Sequence, residues 1–170
     1  LIIADLHENE TPQLQHLKPG DFVYYPAYQR HTIRGGGGGA VTYLMFKWQS
    51  PPTVMEEPLR TAIWRGAGDG GGAEATTAFR ISRLFECPTA YLDKLHAHVS
   101  DLQPGGGYDA HVDDYDVAIV VLKGKIETVG CIVEPFGVIY YAAGEPHGMR
   151  NVGDEPARYL VFEFHAPKRA

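Results

Sequence analysis

VEPFGVIYYAAGEPHGMRNVGDEPARYLVFEF, residues 133–164, decides the fold, because an earlier stretch of the chain repeats it. Residues 17–48, LKPGDFVYYPAYQRHTIRGGGGGAVTYLMFKW, fall on it after a shift of 116 positions without a gap. Ten of the 32 positions are identical, among them Pro19/Pro135, Tyr24/Tyr140, Tyr25/Tyr141, His31/His147, Arg34/Arg150 and Phe46/Phe162. A repeat constrains both copies at once, so it is read before any single element. In each copy a Pro/Gly turn leads into a β-branched and aromatic run, Phe22–Tyr25 or Val138–Tyr141. A turn carrying a histidine follows, then a polar hairpin, in which the run Gly35–Gly39 falls on Asn151–Glu155. A last apolar run closes the copy, Val41–Trp48 or Arg158–Phe164. Short apolar runs punctuated by turn residues every ~8–12 positions predict an all-β antiparallel sandwich or barrel.

Outward from the repeat, Tyr91–Leu102 and Asp116–Leu122 also read as strands. Ile119–Leu122 is continuously apolar, as in a strand buried on both faces. Val54–Ile63 alone carries a weak helical pattern. The copies are unequal: about fifty residues, Phe79–Ile132, precede the second and only 16 the first. By the same offset Leu1 corresponds to Val117. The expected division is a partial first module at 1–50, a linker with a Gly-rich loop at 51–80 and a complete second module at 81–170. A half-module leaves an open sheet edge, which is expected to be covered.

Composition narrows the function. A chain of 170 residues, 44% of them hydrophobic, buries a core without staples. The net charge of −6, with no basic cluster, argues against nucleic acid and anionic membranes as partners. No apolar run approaches the ~18–20 residues that span a bilayer. Cys87 and Cys131 lack metal-site spacing and read as free thiols, which favours a reducing, cytoplasmic compartment. The glycine runs Gly35–Gly39 and Gly70–Gly72 read as turn or linker, since neither matches a phosphate-binding pattern.

His111, Asp113 and His147 carry the chemistry. Side chains two apart on a strand share a face, which sets His111 beside Asp113. His147, 36 residues later at a turn, is expected to meet them across a barrel. Two imidazoles and a carboxylate on one face suit a divalent Fe, Mn, Zn or Ni ion and leave positions open for a ligand. An oxygen-only ion such as calcium does not match this set.

The stretch from Gly105 through His111, Asp113 and Val117 to Gly124 resembles the first motif of the cupin superfamily, G(x)5HxH(x)3–4E(x)6G. The stretch from Gly137 through Gly144 and His147 to Asn151 resembles its second motif, G(x)5PxG(x)2H(x)3N, with Ala142 at the proline position. Asp21 to Gly35 looks like another second motif, keeping Pro26 and His31. The resemblance implies a jelly-roll-like barrel in a bicupin layout with the first module cut short. It also implies a metal held by the motif residues. Here Asp113 replaces the second histidine of the first motif and Val117 replaces its glutamate. The expected ligands are therefore His111, Asp113 and His147. Asp116, His98, Tyr115, Asn151 and Arg158 are the further pocket candidates, with Tyr108 beside them. His96 and His98 alternate with Leu95, Ala97 and Val99, so their face is either solvated or lines a pocket.

The resemblance implies a metal-dependent enzyme acting on a small polar molecule, of oxygenase, decarboxylase, lyase or sugar-isomerase type. The alternative is a non-catalytic small-ligand-binding or sensing barrel with a degenerate metal site, for which the lost glutamate speaks. A third reading is a structural bicupin whose function is association, and homodimerisation is expected in any case. His-x-Asp with a distant His and a later Arg also resembles the facial triad of 2-oxoglutarate-dependent oxygenases.

Overall fold

The computed structural model describes residues 2–6, 13–52, 57–65, 73–75 and 78–167. Among these the chain is all β, with fifteen strands and no helix. Before residue 80 lie β1 (Ile2–Leu6), β2 (Gln13–Leu17), β3 (Phe22–Tyr24), β4 (His31–Gly35), β5 (Ala62–Trp64), β6 (Ala73–Ala75) and the start of β7 (Phe79–Cys87). Then follow β8 (Lys94–Leu102), β9 (Gly107–His111), β10 (Asp116–Lys123), β11 (Ile126–Thr128), β12 (Cys131–Val133), β13 (Val138–Tyr141), β14 (His147–Asn151) and β15 (Ala157–His165).

The barrel is made of two antiparallel sheets. One runs β13-β10-β15-β8-β7-β6 and the other β12-β11-β14-β9. Their inner faces share one apolar core, to which the first sheet gives Leu102, Val121 and Tyr159 and the second Ile126 and Met149. Each of these five is at most 2% exposed. As its unbroken apolar run requires, β10 is buried on both faces from Val117 to Val121. The expected antiparallel β-barrel is thus what this half of the chain forms.

The outer face of the six-stranded sheet is also apolar, and residues before position 65 cover it. Phe85, Leu95, Ala97, Ala118 and Phe162 pack there under Phe22, Tyr24, Phe46, Trp48 and Trp64. Trp64 stacks on Phe85 with ring centroids 4.1 Å apart, and Phe46 meets Phe162 at 4.9 Å. Burying large aromatic rings against each other contributes area and, per pair, about 0.5–1.5 kcal/mol beyond it.

The copies share elements but not pairing. By the 116-residue offset β3 falls on β13 and β4 on β14. Yet β4 pairs with β1 in a sheet of order β2-β1-β4, whereas β14 pairs with β11 and β9. Val41–Trp48, expected as a strand after a hairpin, is irregular. Its Phe46 and Trp48 are drawn onto the outer sheet face, where they meet Phe162 and Phe164. The weak helical pattern of Val54–Ile63 is likewise not a helix where it is described: Ala62–Trp64 pairs with Phe22–Tyr24. Its first residues, 54–56, lie outside the described residues, as does the run Gly70–Gly72. Cys87 and Cys131 are free. No described helix is long and apolar enough to cross a membrane.

Candidate metal centre

Strand register places the two histidines opposite each other. His111, the last residue of β9, is the cross-strand partner of His147, the first of β14. The ladder shifts between His147 and Met149, a β-bulge of the kind that re-aims side chains. Two glycines permit the close approach of these strands. A side chain on Gly148 would stand 2.9 Å from the backbone nitrogen of Ala110, and one on Gly107 2.8 Å from Cα of Arg150. Asp113 lies just past the end of β9, in a segment tied down by the Gly144 N–H, which donates to the Asp113 carbonyl at 2.8 Å.

The three side chains converge. Asp113 Oδ2 is 3.4 Å from His147 Nε2 and 3.6 Å from His111 Nε2. The imidazole rings are 4.5 Å apart between centroids. His147 is 4% exposed, Asp113 20% and His111 47%, so the group runs from the barrel interior to its mouth. Each histidine has its Nδ1 against a backbone carbonyl, His147 on Glu145 at 2.9 Å and His111 on Asp109 at 3.4 Å. Donating from Nδ1 leaves the lone pair on Nε2, aimed at the carboxylate. Tyr141 stacks on His147 at 4.0 Å, within 10° of parallel, and bonds through its hydroxyl to Thr128.

This donor set fits a metal. Ligand atoms about 2.0–2.2 Å from a shared ion are separated by about 3.0–3.5 Å, and the two contacts to Asp113 Oδ2, at 3.4 and 3.6 Å, lie close to that. Two imidazoles and one carboxylate form a facial set with open positions.

Residues 98–163 match the family described as the cupin domain. In fold the chain is similar to the Schizosaccharomyces pombe Cnp3 cupin domain, at 15% identity and a TM-score of 0.50 over 62% of this chain and 72% of that one. It is also similar to a predicted oxalate decarboxylase of Thermotoga maritima, at 13% identity and a TM-score of 0.48, over 60% and 97%. A third similar structure is the Lactobacillus farciminis oxalate decarboxylase formate complex, at 16% identity and a TM-score of 0.48, over 56% of this chain. The chain spans about a third of that protein, 31%. No curated protein sequence matches the chain.

The metal-type group opens on a cavity of about 240 Å³ between the sheets. Its polar wall is His98, Tyr108, Tyr115, Tyr159 and Glu163; Ile81, Val117, Ile119 and Val161 make it apolar elsewhere. Two pocket candidates are therefore brought to the site. His98 faces the cavity, so the polar face of β8 points inward and its apolar face, with Leu95 and Ala97, points outward under the aromatic cover. Burial, together with nearby His96, pulls its pKa down to about 4 against the opposing pull of Glu163. Tyr115 hydrogen-bonds Asp113; burial, with Glu163 and Asp113 adding, raises its phenol pKa, so it stays a donor. Burial also pushes Tyr159 up to about 12 and Tyr108 well above the ordinary phenol range.

Three other candidates lie elsewhere. Asp116 points away from the cavity and accepts the backbone N–H of Ala143 at 2.8 Å, pinning the turn before His147. Val117 does line the cavity, as alternation along β10 requires. Asn151 is 1% exposed and holds the β14–β15 turn: its amide donates to the carbonyls of Leu102 and Glu155, and its oxygen accepts the Gly153 N–H. Arg158 sits near Asp101 on β8, 3.8 Å away, at the far end of the sheet. Glu163 and His165, which alternate with Phe162 and Phe164 on β15, were not distinguished by the sequence reading. Their signal is a charged residue set into an otherwise apolar strand. His31 repeats His147: its ring stacks on Tyr25 at 3.8 Å and 10°, and its Nδ1 lies 2.8 Å from the Gln29 carbonyl. Among the described residues it belongs to no group of metal-type donors.

Proposed function

We propose that the cupin domain holds one divalent transition metal at His111, Asp113 and His147 and is a metal-dependent enzyme for a small polar molecule. The observation that carries this reading is the convergence of the two Nε2 atoms on one carboxylate oxygen at 3.4 and 3.6 Å, at the mouth of a cavity. When bound, the ion supplies Lewis acidity to an oxygen of the substrate. The chain supplies the rest. Tyr115 and Tyr108 present hydroxyl donors to the cavity, Glu163 an acceptor, and His98 an imidazole that stays neutral near pH 7. The apolar side, Val117, Ile119 and Val161, excludes water from one flank of the ligand.

Charge and size narrow the substrate. The described lining contains no Lys or Arg, and Asp113 supplies a carboxylate beside the ion. A neutral or singly charged molecule of a few carbons, with hydroxyl or carbonyl oxygens, suits this wall better than a dianion. The 2-oxoglutarate oxygenase reading needs a cation for the second carboxylate, and Arg158 lies by Asp101 outside the cavity. Protein loaded with Fe(II) and given 2-oxoglutarate is expected to form no succinate.

The test of the main reading is turnover. Metal-loaded protein, screened against small hydroxy acids, keto acids and sugars, should convert one of them, and Asp113→Asn should lose at least ~100-fold of that rate. Ligand-dependent stabilisation without turnover by any metal-loaded form would favour the sensing alternative instead. We further read residues 1–50 as a partial module of the same kind, supported by the repeated Tyr25–His31 stack, and the protein as a homodimer, which sedimentation tests.

A further inference from the structure

We propose that His96, His98 and Glu163 form a second metal site, which takes a divalent ion of the zinc, cobalt or nickel type. It is separate from the group at His111, Asp113 and His147, and it does not depend on that reading. The strands set it up. His96 and His98 are two apart on β8 and share a face; Glu163 on β15 is the direct cross-strand partner of His96. Glu86 on β7 is its partner on the other side. The row Glu86, His96, Glu163 therefore crosses three adjacent strands, with His98 one step along the same face.

The donor geometry is that of a ligand set. His96 Nε2 lies 3.0 Å from His98 Nδ1, and His98 Nδ1 lies 3.9 Å from Glu163 Oε1. All three donor atoms lie within 4.8 Å of one another. Nitrogen ligands about 2.1 Å from one ion stand about 3.0–3.4 Å apart, so the histidine pair needs almost no movement and Glu163 only a small rotation. The side chains are 14%, 11% and 17% exposed, so the group is mostly withdrawn from water without being sealed.

The atoms around the group are arranged as outer partners of metal ligands are. Glu86 Oε2 lies 2.8 Å from His96 Nδ1; a proton donated there fixes the lone pair on Nε2, toward His98. Glu163 has its second oxygen, Oε2, 3.0 Å from His165 Nε2, which leaves Oε1 for the ion. Metal-free, the 3.0 Å contact between the histidines is a hydrogen bond with a single proton between the nitrogens. On binding, that proton leaves the contact for His98 Nε2, so both rings ligate as neutral imidazoles with no net proton release and no redox change. Two imidazoles and a carboxylate exclude magnesium and calcium, which take oxygen sets. His98 and Glu163 also line the cavity, so an ion held here has an open side toward it.

The test is Co(II) titration of the chelator-stripped full chain, by calorimetry and visible absorption. The wild type should bind two equivalents. His111→Ala/His147→Ala should keep one, and so should His96→Gln/Glu163→Gln, each confirmed folded by circular dichroism. If the second double variant does not fold, Glu163→Gln alone should weaken one of the two ions at least tenfold. A folded His111→Ala/His147→Ala protein that binds no cobalt overturns the proposal, as does full wild-type binding in the Glu163 variants. A wild type with one ion, lost only in the His96/Glu163 variants, sustains this site while removing the other.

Discussion

His147 does the most at the scale of single residues, because three contacts fix one ring. Tyr141 stacks on it, Glu145 takes its Nδ1, and Asp113 faces its Nε2. His111 is looser, with half its side chain in water and a longer Nδ1 contact. His147→Ala should therefore lower metal affinity more than His111→Ala, by at least ~100-fold against ~10-fold, as calorimetry with Zn(II) would read; the reverse order would mean that the buried ring is structural. These residues were legible because their signals are local: His111 and Asp113 stand two positions apart, and a turn signature precedes His147. Glu163 was not, because only strand register joins it to His96, and alternation left the face of His96 and His98 open between solvent and pocket.

His98 gives a pH prediction for the metal-free protein. Its folded pKa, about 4, lies below the ordinary 6.5. The groups facing it are His96 on its own strand and Glu163 on β15. As pH falls from about 6.5 to 4, the unfolded chain binds a proton that the folded one refuses, so stability drops through that window. The drop is up to roughly 3 kcal/mol from this group. Urea unfolding at pH 7 and pH 4.5 should show it, and His98→Gln should remove that part of the slope. An unchanged slope in the variant would reassign the acid sensitivity to other groups.

At the scale of elements, the site depends on how closely β9 and β14 approach. Gly107→Ala puts a methyl into the backbone of Met149 and Arg150. Overpacking of this kind costs about 1–3 kcal/mol, and here it also pries His111 from His147. The expected result is a lower urea midpoint together with weaker Zn(II) binding; loss of stability with unchanged binding would show that the strand pair does not set the ligands. The irregular stretch after β4 supplies another test. Trp48, stacked on Tyr24 and tilted against Phe164, holds that stretch to the barrel. Trp48→Ala should cost about 2–4 kcal/mol in denaturant unfolding and leave metal affinity alone. Most strands were readable from alternation and turns, including β10, β13 and β15. Val41–Trp48 was not: its apolar run serves an outer sheet face, and periodicity cannot tell which surface a run will cover.

At the scale of the whole molecule, the duplicated sequence specified β structure but not matching sheets. The Tyr–His stack recurs in both copies, at Tyr25–His31 and Tyr141–His147, so local geometry follows local sequence. Pairing does not, because it depends on which strands are available, and β4 finds β1 where β14 finds β9 and β11. The barrel interior joins an apolar core to a partly polar cavity wall, and the outer face of its six-stranded sheet is apolar because residues before position 65 cover it. Cavity and cover are thus parts of one arrangement. The most direct measurement is anomalous diffraction from crystals grown with Zn(II). A peak within about 2.3 Å of His111 Nε2, Asp113 Oδ2 and His147 Nε2 is the expected result. Those three side chains turned apart, with no peak between them, would contradict it.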